Sequence, residues 1–209
     1  MTTAIPRRAL VVIDVQNEYF TGNLLIEHPP VGQSLPNIGR AMDAARAAGI
    51  PVVVVQHSAA ASSPLFAKGS STWELNEVVA SRPHDHYIEK AWPSVFTGTG
   101  FADWLKEKQI DTLTVIGYMT HNCDASTIFE AMHRGLRVEF LQDATGALPY
   151  ANTAGSATAE EIHRVFSVVF HTGFAAVAST EEWASAVQAG RALTKGSILA
   201  SNQAALALR

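Results

Sequence analysis

The chain has 209 residues, 47% hydrophobic and 16% charged, with a net charge of −4. That length suits one domain with a sizeable core, and without a Lys/Arg run a nucleic-acid backbone finds nothing to follow, which argues against nucleic acid as a partner. The single cysteine, Cys123, cannot close an intramolecular disulfide, and no apolar run approaches a membrane span or a signal-peptide core. The expected setting is therefore the cytoplasm, with a small molecule as the partner and no membrane.

Short apolar runs alternate with stretches of helical period, the pattern of βαβ units around a parallel sheet. Ala9–Ile13 reads as the first strand and ends at Asp14. Ser34–Ala48 reads as a helix, followed by Gly49 as its C-terminal cap. Strands are expected at Val52–Gln56 and His86–Glu89, the second leading into Lys90. A helix near Phe101–Lys108 precedes a strand at Thr112–Ile116, and a helix at Asn122–Arg134 closes on Gly135. Arg137–Leu141 reads as the fifth strand, Ser156–Phe170 as a helix and Phe174–Ala178 as a sixth strand. Thr180–Gln188 opens with a capping threonine and two acids. The fold class is α/β: a three-layer α/β/α, Rossmann-like fold with a mostly parallel sheet of about six strands over residues 1–189. Residues 190–209 form an Ala-rich tail, either docked on a neighbouring subunit or loose.

Three residues fall where such a sheet gathers chemistry, at the carboxyl ends of its strands. Asp14 interrupts an apolar run, which is costly unless the carboxylate is paired or caps the strand end. Lys90 is its candidate partner, or a solvated surface lysine. Cys123 stands at a strand-to-helix junction, where free N–H groups and the helix dipole favour a thiolate; the alternative is a small buried hydrophobe. Together they supply the nucleophile, base and cation of covalent acyl transfer.

In order and spacing these residues carry a resemblance. Asp14-Val15-Gln16-Asn17 with Tyr19-Phe20, Lys90 with Ser94-Val95-Phe96 and Thr99, and Val115-Ile116-Gly117-Tyr118-Met119-Thr120 followed by Cys123 resemble the isochorismatase-like cysteine hydrolase superfamily. That superfamily includes nicotinamidases and N-carbamoylsarcosine amidases, and the resemblance covers about residues 9–178. It implies a triad of Asp14, Lys90 and Cys123, with attack on a carbonyl and a thioester intermediate. It also implies an oxyanion hole from the backbone N–H groups of Met119 and Cys123, and a cis peptide at Tyr118–Met119. Dimers or tetramers are usual in the family, so a homodimer or homotetramer is implied.

The match departs from nicotinamidases after the second strand, where Gln56-His57-Ser58 lacks the Asp-x-His metal pattern, so no metal and no cofactor are expected. Cys123 itself favours C–N hydrolysis over vinyl-ether hydrolysis, which does not need it. Asp124 stands where the family commonly has valine, and a charge there would oppose a thiolate. The loops after the strands make Gln16, Tyr19, Phe20, His57, Trp92, Tyr118, His121 and Asn122 the expected substrate-binding residues, with Trp73 and Tyr150 as further candidates. Aromatic walls with few cations suit a small neutral amide, carbamoyl or ureido compound. Another small metabolite within the same class, or a non-catalytic member of the fold, are the alternatives.

Overall fold

A computed structural model describes residues 5–209. Its central sheet comprises β1 (Arg8–Ile13), β2 (Val52–His57), β3 (His86–Lys90), β4 (Thr112–Tyr118), β5 (Arg137–Gly146) and β8 (Ala176–Ala178). They lie in the order β3-β2-β1-β4-β5-β8, and every pairing is parallel. Runs such as Leu10-Val11-Val12-Ile13 and Val52–Val55 bury apolar side chains on both faces, which only a sheet covered on both sides can use.

Helices α1 (Val31–Ala47), α2 (Glu77–Ala80) and α6 (Thr180–Gln188) cover one face, where Leu10, Val12, Ile38, Met42 and Trp183 form one core. Helices α3 (Phe101–Glu107), α4 (Ala125–His133) and α5 (Ala159–Val169) cover the other, around Val11, Val55, Phe101, Ile128 and Phe170. The sequence reading of three layers therefore holds, with the sheet wholly rather than mostly parallel.

The strand order reverses between β1 and β4, and this places a crevice at their carboxyl ends. Register fixes what meets there: Ile13 lies opposite Val55 on one side and Gly117 on the other, while His57 lies opposite Lys90. Gly117 has φ +112°, and a Cβ there would stand 2.1 Å from the Ile13 carbonyl oxygen. Only glycine lets β4 press against β1 immediately before the cysteine loop.

Several boundaries differ from the sequence reading. Lys90 is the last residue of β3 rather than the first after it, and β5 runs five residues beyond Leu141, to Gly146. The helix expected from Ser156 starts at Ala159, because Tyr150–Asn152 (β6) and Gly155–Ala157 (β7) pair as an antiparallel hairpin first. Thr158 and Glu161 then form a capping box, a Thr-x-x-Glu signal legible in the sequence. The helix expected from Asn122 begins instead as a wider turn, described below. In the tail, α7 (Ile198–Leu206) has no buried residue and exposes Ile198, Leu199 and Leu206. Among the described residues no helix is long and apolar enough to cross a membrane.

Candidate active site

The three chemistry-bearing residues converge from three strand ends. Asp14 follows β1 with φ 49°, a left-handed turn that aspartate tolerates better than most residues. Its Oδ2 accepts a 2.6 Å hydrogen bond from Lys90 Nζ, and both side chains are 0% exposed. Lys90 reaches Asp14 across β2, so its ammonium also lies 3.4 Å from His57 Nδ1 at the end of that strand. The same Nζ donates to Cys123 Sγ at 3.3 Å. Lysine, carboxylate and thiol thus form one buried cluster, with Lys90 touching both others.

Cys123 belongs to a turn over Thr120–Asp124 in which the Asp124 N–H bonds back to the Met119 carbonyl at 3.2 Å. This i→i+5 turn is one residue wider than an α-helical turn. The sequence reads as helix here because local propensity does not distinguish the two. The peptide bond between Tyr118 and Met119 is cis.

Burial dominates the electrostatics. It pulls Lys90 down, but Asp14 and Cys123 outweigh it and hold the ammonium above its ordinary value. The Cys123 thiol is pushed well up by burial and by Asp14, with Lys90 offsetting only part. The resting sulfur therefore carries its proton, in contrast to the thiolate expected from its place at a helix start. Dehydration of a site 5% exposed outweighs the dipole of a turn. Asp14 Oδ1 is buried with no hydrogen-bond partner among the described residues, leaving an acceptor beside that proton. His57 is lowered by burial and by Lys90, so its imidazole is neutral.

Asp124 turns fully into the interior, and neither carboxyl oxygen has a partner among the described residues. Burial and then Asp14 push it well above the usual carboxylate range, against the pull of Lys90. That upward shift favours the neutral acid, which would not oppose a thiolate.

A cavity of about 400 Å³ opens on the sulfur. Of the residues expected to bind substrate, Tyr19, His57 and Asn122 line it, with Tyr150, Met119 and Cys123. Five do not. Gln16 spends its amide on the His57 and Trp73 carbonyls and accepts from the His57 N–H, fastening the loop behind the cavity. Tyr118 is buried on the opposite face with its hydroxyl 2.8 Å from Ser34 Oγ, and Phe20 packs edge-on against it. Trp92 is 63% exposed. His121 packs edge-on against Tyr150, with both ring nitrogens buried and unpartnered among the described residues. Trp73 also stands back, its Nε1 donating to Ser58 Oγ.

The remaining wall is Leu24, Ala59, Ser63, Leu65, Phe66 and Pro93, none of them read from the sequence. Leu24 follows the first motif, and Ala59–Phe66 lies in the loop after β2. A loop following a strand end beside the crevice is the only signal that marks them. Among the described residues no group of three or more His, Cys, Asp or Glu side chains is placed to hold a metal ion.

Comparison with known proteins bears on the family and the fold. An isochorismatase-domain family model matches residues 8–182. A "secreted isochorismatase effector" of Verticillium dahliae is 31% identical over 145 residues, covering 69% of this chain and 75% of that protein. A ureidoacrylate amidohydrolase of Methylobacterium radiotolerans is 28% identical, covering 85% of this chain and 78% of its own length. A crystal structure from Burkholderia xenovorans LB400 that bears the name isochorismatase is 67% identical, with a TM-score of 0.98 over 99% of both chains.

Proposed function

The chain belongs to the isochorismatase family of hydrolases, and on that premise we propose that it is a metal-independent cysteine amidohydrolase cleaving a C–N bond of a small amide, carbamoyl or ureido compound. One observation carries the reading: Lys90 Nζ lies 2.6 Å from the Asp14 carboxylate and 3.3 Å from Cys123 Sγ, all three are buried, and Cys123 lines a cavity. A structural ion pair has no need of a thiol on its third side, whereas acyl transfer needs all three groups.

In this reaction Cys123 Sγ attacks the substrate carbonyl carbon as its proton passes to Asp14. A resting thiol that loses its proton only during attack fits burial of the sulfur beside an open carboxylate oxygen. Negative charge on the tetrahedral oxygen is met by the Met119 and Cys123 N–H groups, at the turn that carries the nucleophile. Collapse breaks the C–N bond, and the leaving nitrogen takes the proton from Asp14. Water then adds to the thioester, giving its proton to Asp14, and the acid leaves as Cys123 regains its hydrogen. Lys90 keeps its charge throughout, balancing whichever of Asp14 and Cys123 is negative.

The cavity limits the substrate to a small molecule, and among the described residues its lining has aromatic, aliphatic and neutral polar groups but no arginine. This supports an uncharged amide, and the kinship with a ureidoacrylate amidohydrolase supports a ureido or carbamoyl carbonyl. Nδ1 of His57 faces the Lys90 ammonium at 3.4 Å, which supports chemistry without a metal. The lone free thiol supports a reducing, cytoplasmic setting.

Ammonia release from a panel of small amides and ureides tests the reading. Wild type is expected to release ammonia and Cys123→Ala is expected to be inactive. Equal release by both would refute covalent catalysis.

A further inference from the structure

Behind the cysteine turn, buried polar groups of the turn, α5 and β5 form an open ring of hydrogen bonds. Thr120 Oγ1, at the head of the turn, stands 2.9 Å from His163 Nδ1 of α5 and 3.2 Å from Thr145 Oγ1 of β5. Thr145 Oγ1 donates in turn to the Gln142 carbonyl at 3.4 Å. Thr120 and Thr145 are 0% exposed and His163 is 6% exposed. The ring of His163 is further wedged between His28 and Phe140.

Burying three polar side chains costs free energy that a leucine or valine layer would not, and the cost is recovered only while every partner is in place. Such a ring therefore holds Thr120 in one position. That residue adjoins Met119 and lies three before Cys123, so the turn presenting both proposed oxyanion donors is anchored at its head to α5 and β5. No other side-chain hydrogen bond of the turn reaches outside it among the described residues, apart from the Lys90 contact to Cys123 and the Thr127 bond to the Cys123 carbonyl.

We propose that Thr120 and His163 are positioning residues: neither lines the cavity beside Cys123, and they fix the turn so that the Met119 and Cys123 N–H groups face the reacting carbonyl. The proposal rests on the amidohydrolase reading above. Transition-state donors must be held to fractions of an ångström, so loosening the turn acts on the chemical step rather than on binding.

The test compares Thr120→Val, which keeps the shape and removes the hydroxyl, with Thr120→Ser, which keeps the hydroxyl, and with His163→Gln. Thr120→Val is expected to lower kcat by about 10- to 100-fold, short of the loss of an oxyanion donor itself, with KM within about twofold of wild type, as expected when only transition-state binding is lost. Thr120→Ser is expected to restore most of kcat, and His163→Gln to fall in the same direction as Thr120→Val. Iodoacetamide alkylation of Cys123 is read in parallel and needs no substrate: a loosened turn uncovers the thiol, so the rate is expected to rise several-fold in Thr120→Val and His163→Gln but not in Thr120→Ser. Should no amide be hydrolysed by wild type, the amidohydrolase reading falls and the alkylation series still decides whether the ring holds the turn. Wild-type kcat and alkylation in Thr120→Val, or equal losses in Thr120→Val and Thr120→Ser, would overturn the proposal.

Discussion

Replacing Lys90 by methionine keeps most of the length of the side chain and removes its charge, leaving the 0% exposed Asp14 carboxylate without its 2.6 Å partner. Removing one member of a buried ion pair costs about 3–5 kcal/mol. The unpaired group can escape part of that cost by taking up a proton, and neutralising an ordinary aspartate costs about 4 kcal/mol at pH 7 and about 1.5 kcal/mol at pH 5. The expected destabilisation of Lys90→Met is thus about 4 kcal/mol at pH 7, shrinking to about 1.5 kcal/mol at pH 5. The sign follows from proton counts: the folded variant holds a proton that the unfolded chain has lost, so its stability relative to wild type falls as pH rises. Urea unfolding at both pH values measures the difference. Adding Asp14→Asn removes the stranded charge and is expected to flatten the pH dependence. A penalty equal at the two pH values, or below about 1 kcal/mol at pH 7, would show that Lys90 does not neutralise a buried Asp14 carboxylate.

Other consequences are open to measurement. Because burial holds the resting thiol protonated, iodoacetamide should label Cys123 no faster than a free thiol at pH 7, with a rate climbing through alkaline pH. Asp124→Asn should leave that rate within about twofold at pH 7, since a neutral acid is replaced by a neutral amide; a marked acceleration would mean that Asp124 is ionised. His163 is lowered by burial and then His28 to about 4, so the unfolded chain binds its proton first and stability is lost as pH falls from about 6.5 towards 4, by about 3 kcal/mol from this residue. His163→Gln should remove that share of the acid sensitivity in urea titrations. Gly117→Ala places a Cβ 2.1 Å from the Ile13 oxygen at φ +112° and should cost about 3 kcal/mol or more, or prevent soluble expression.

The sheet was legible because its strands are short apolar runs bounded by helical period, and Asp14, Lys90 and Cys123 because strand ends in a parallel sheet meet on one edge. Substrate contacts were harder to read. Tyr118 and Tyr19 both flank motifs, but alternation along β4 sends Tyr118 to the opposite face, with its hydroxyl on Ser34, and only Tyr19 reaches the cavity. Gln16 stands two residues after Asp14, yet its amide is consumed by the backbone of His57 at the end of β2. The upward push on the Cys123 thiol is hidden for a related reason: a helix start is visible in sequence, whereas burial is a property of the packed molecule. Asp124 shows the same limit, since nothing local says that it points inward.

Covalent chemistry at Cys123 is tested most directly by acid-quenching the enzyme during turnover of an amide it hydrolyses and weighing the peptide that contains Cys123. The expected result is a mass increase equal to the substrate minus ammonia or the leaving amine, absent in Cys123→Ala, which should also be inactive. Turnover with Cys123 unmodified, and with Cys123→Ala as fast as wild type, would contradict it.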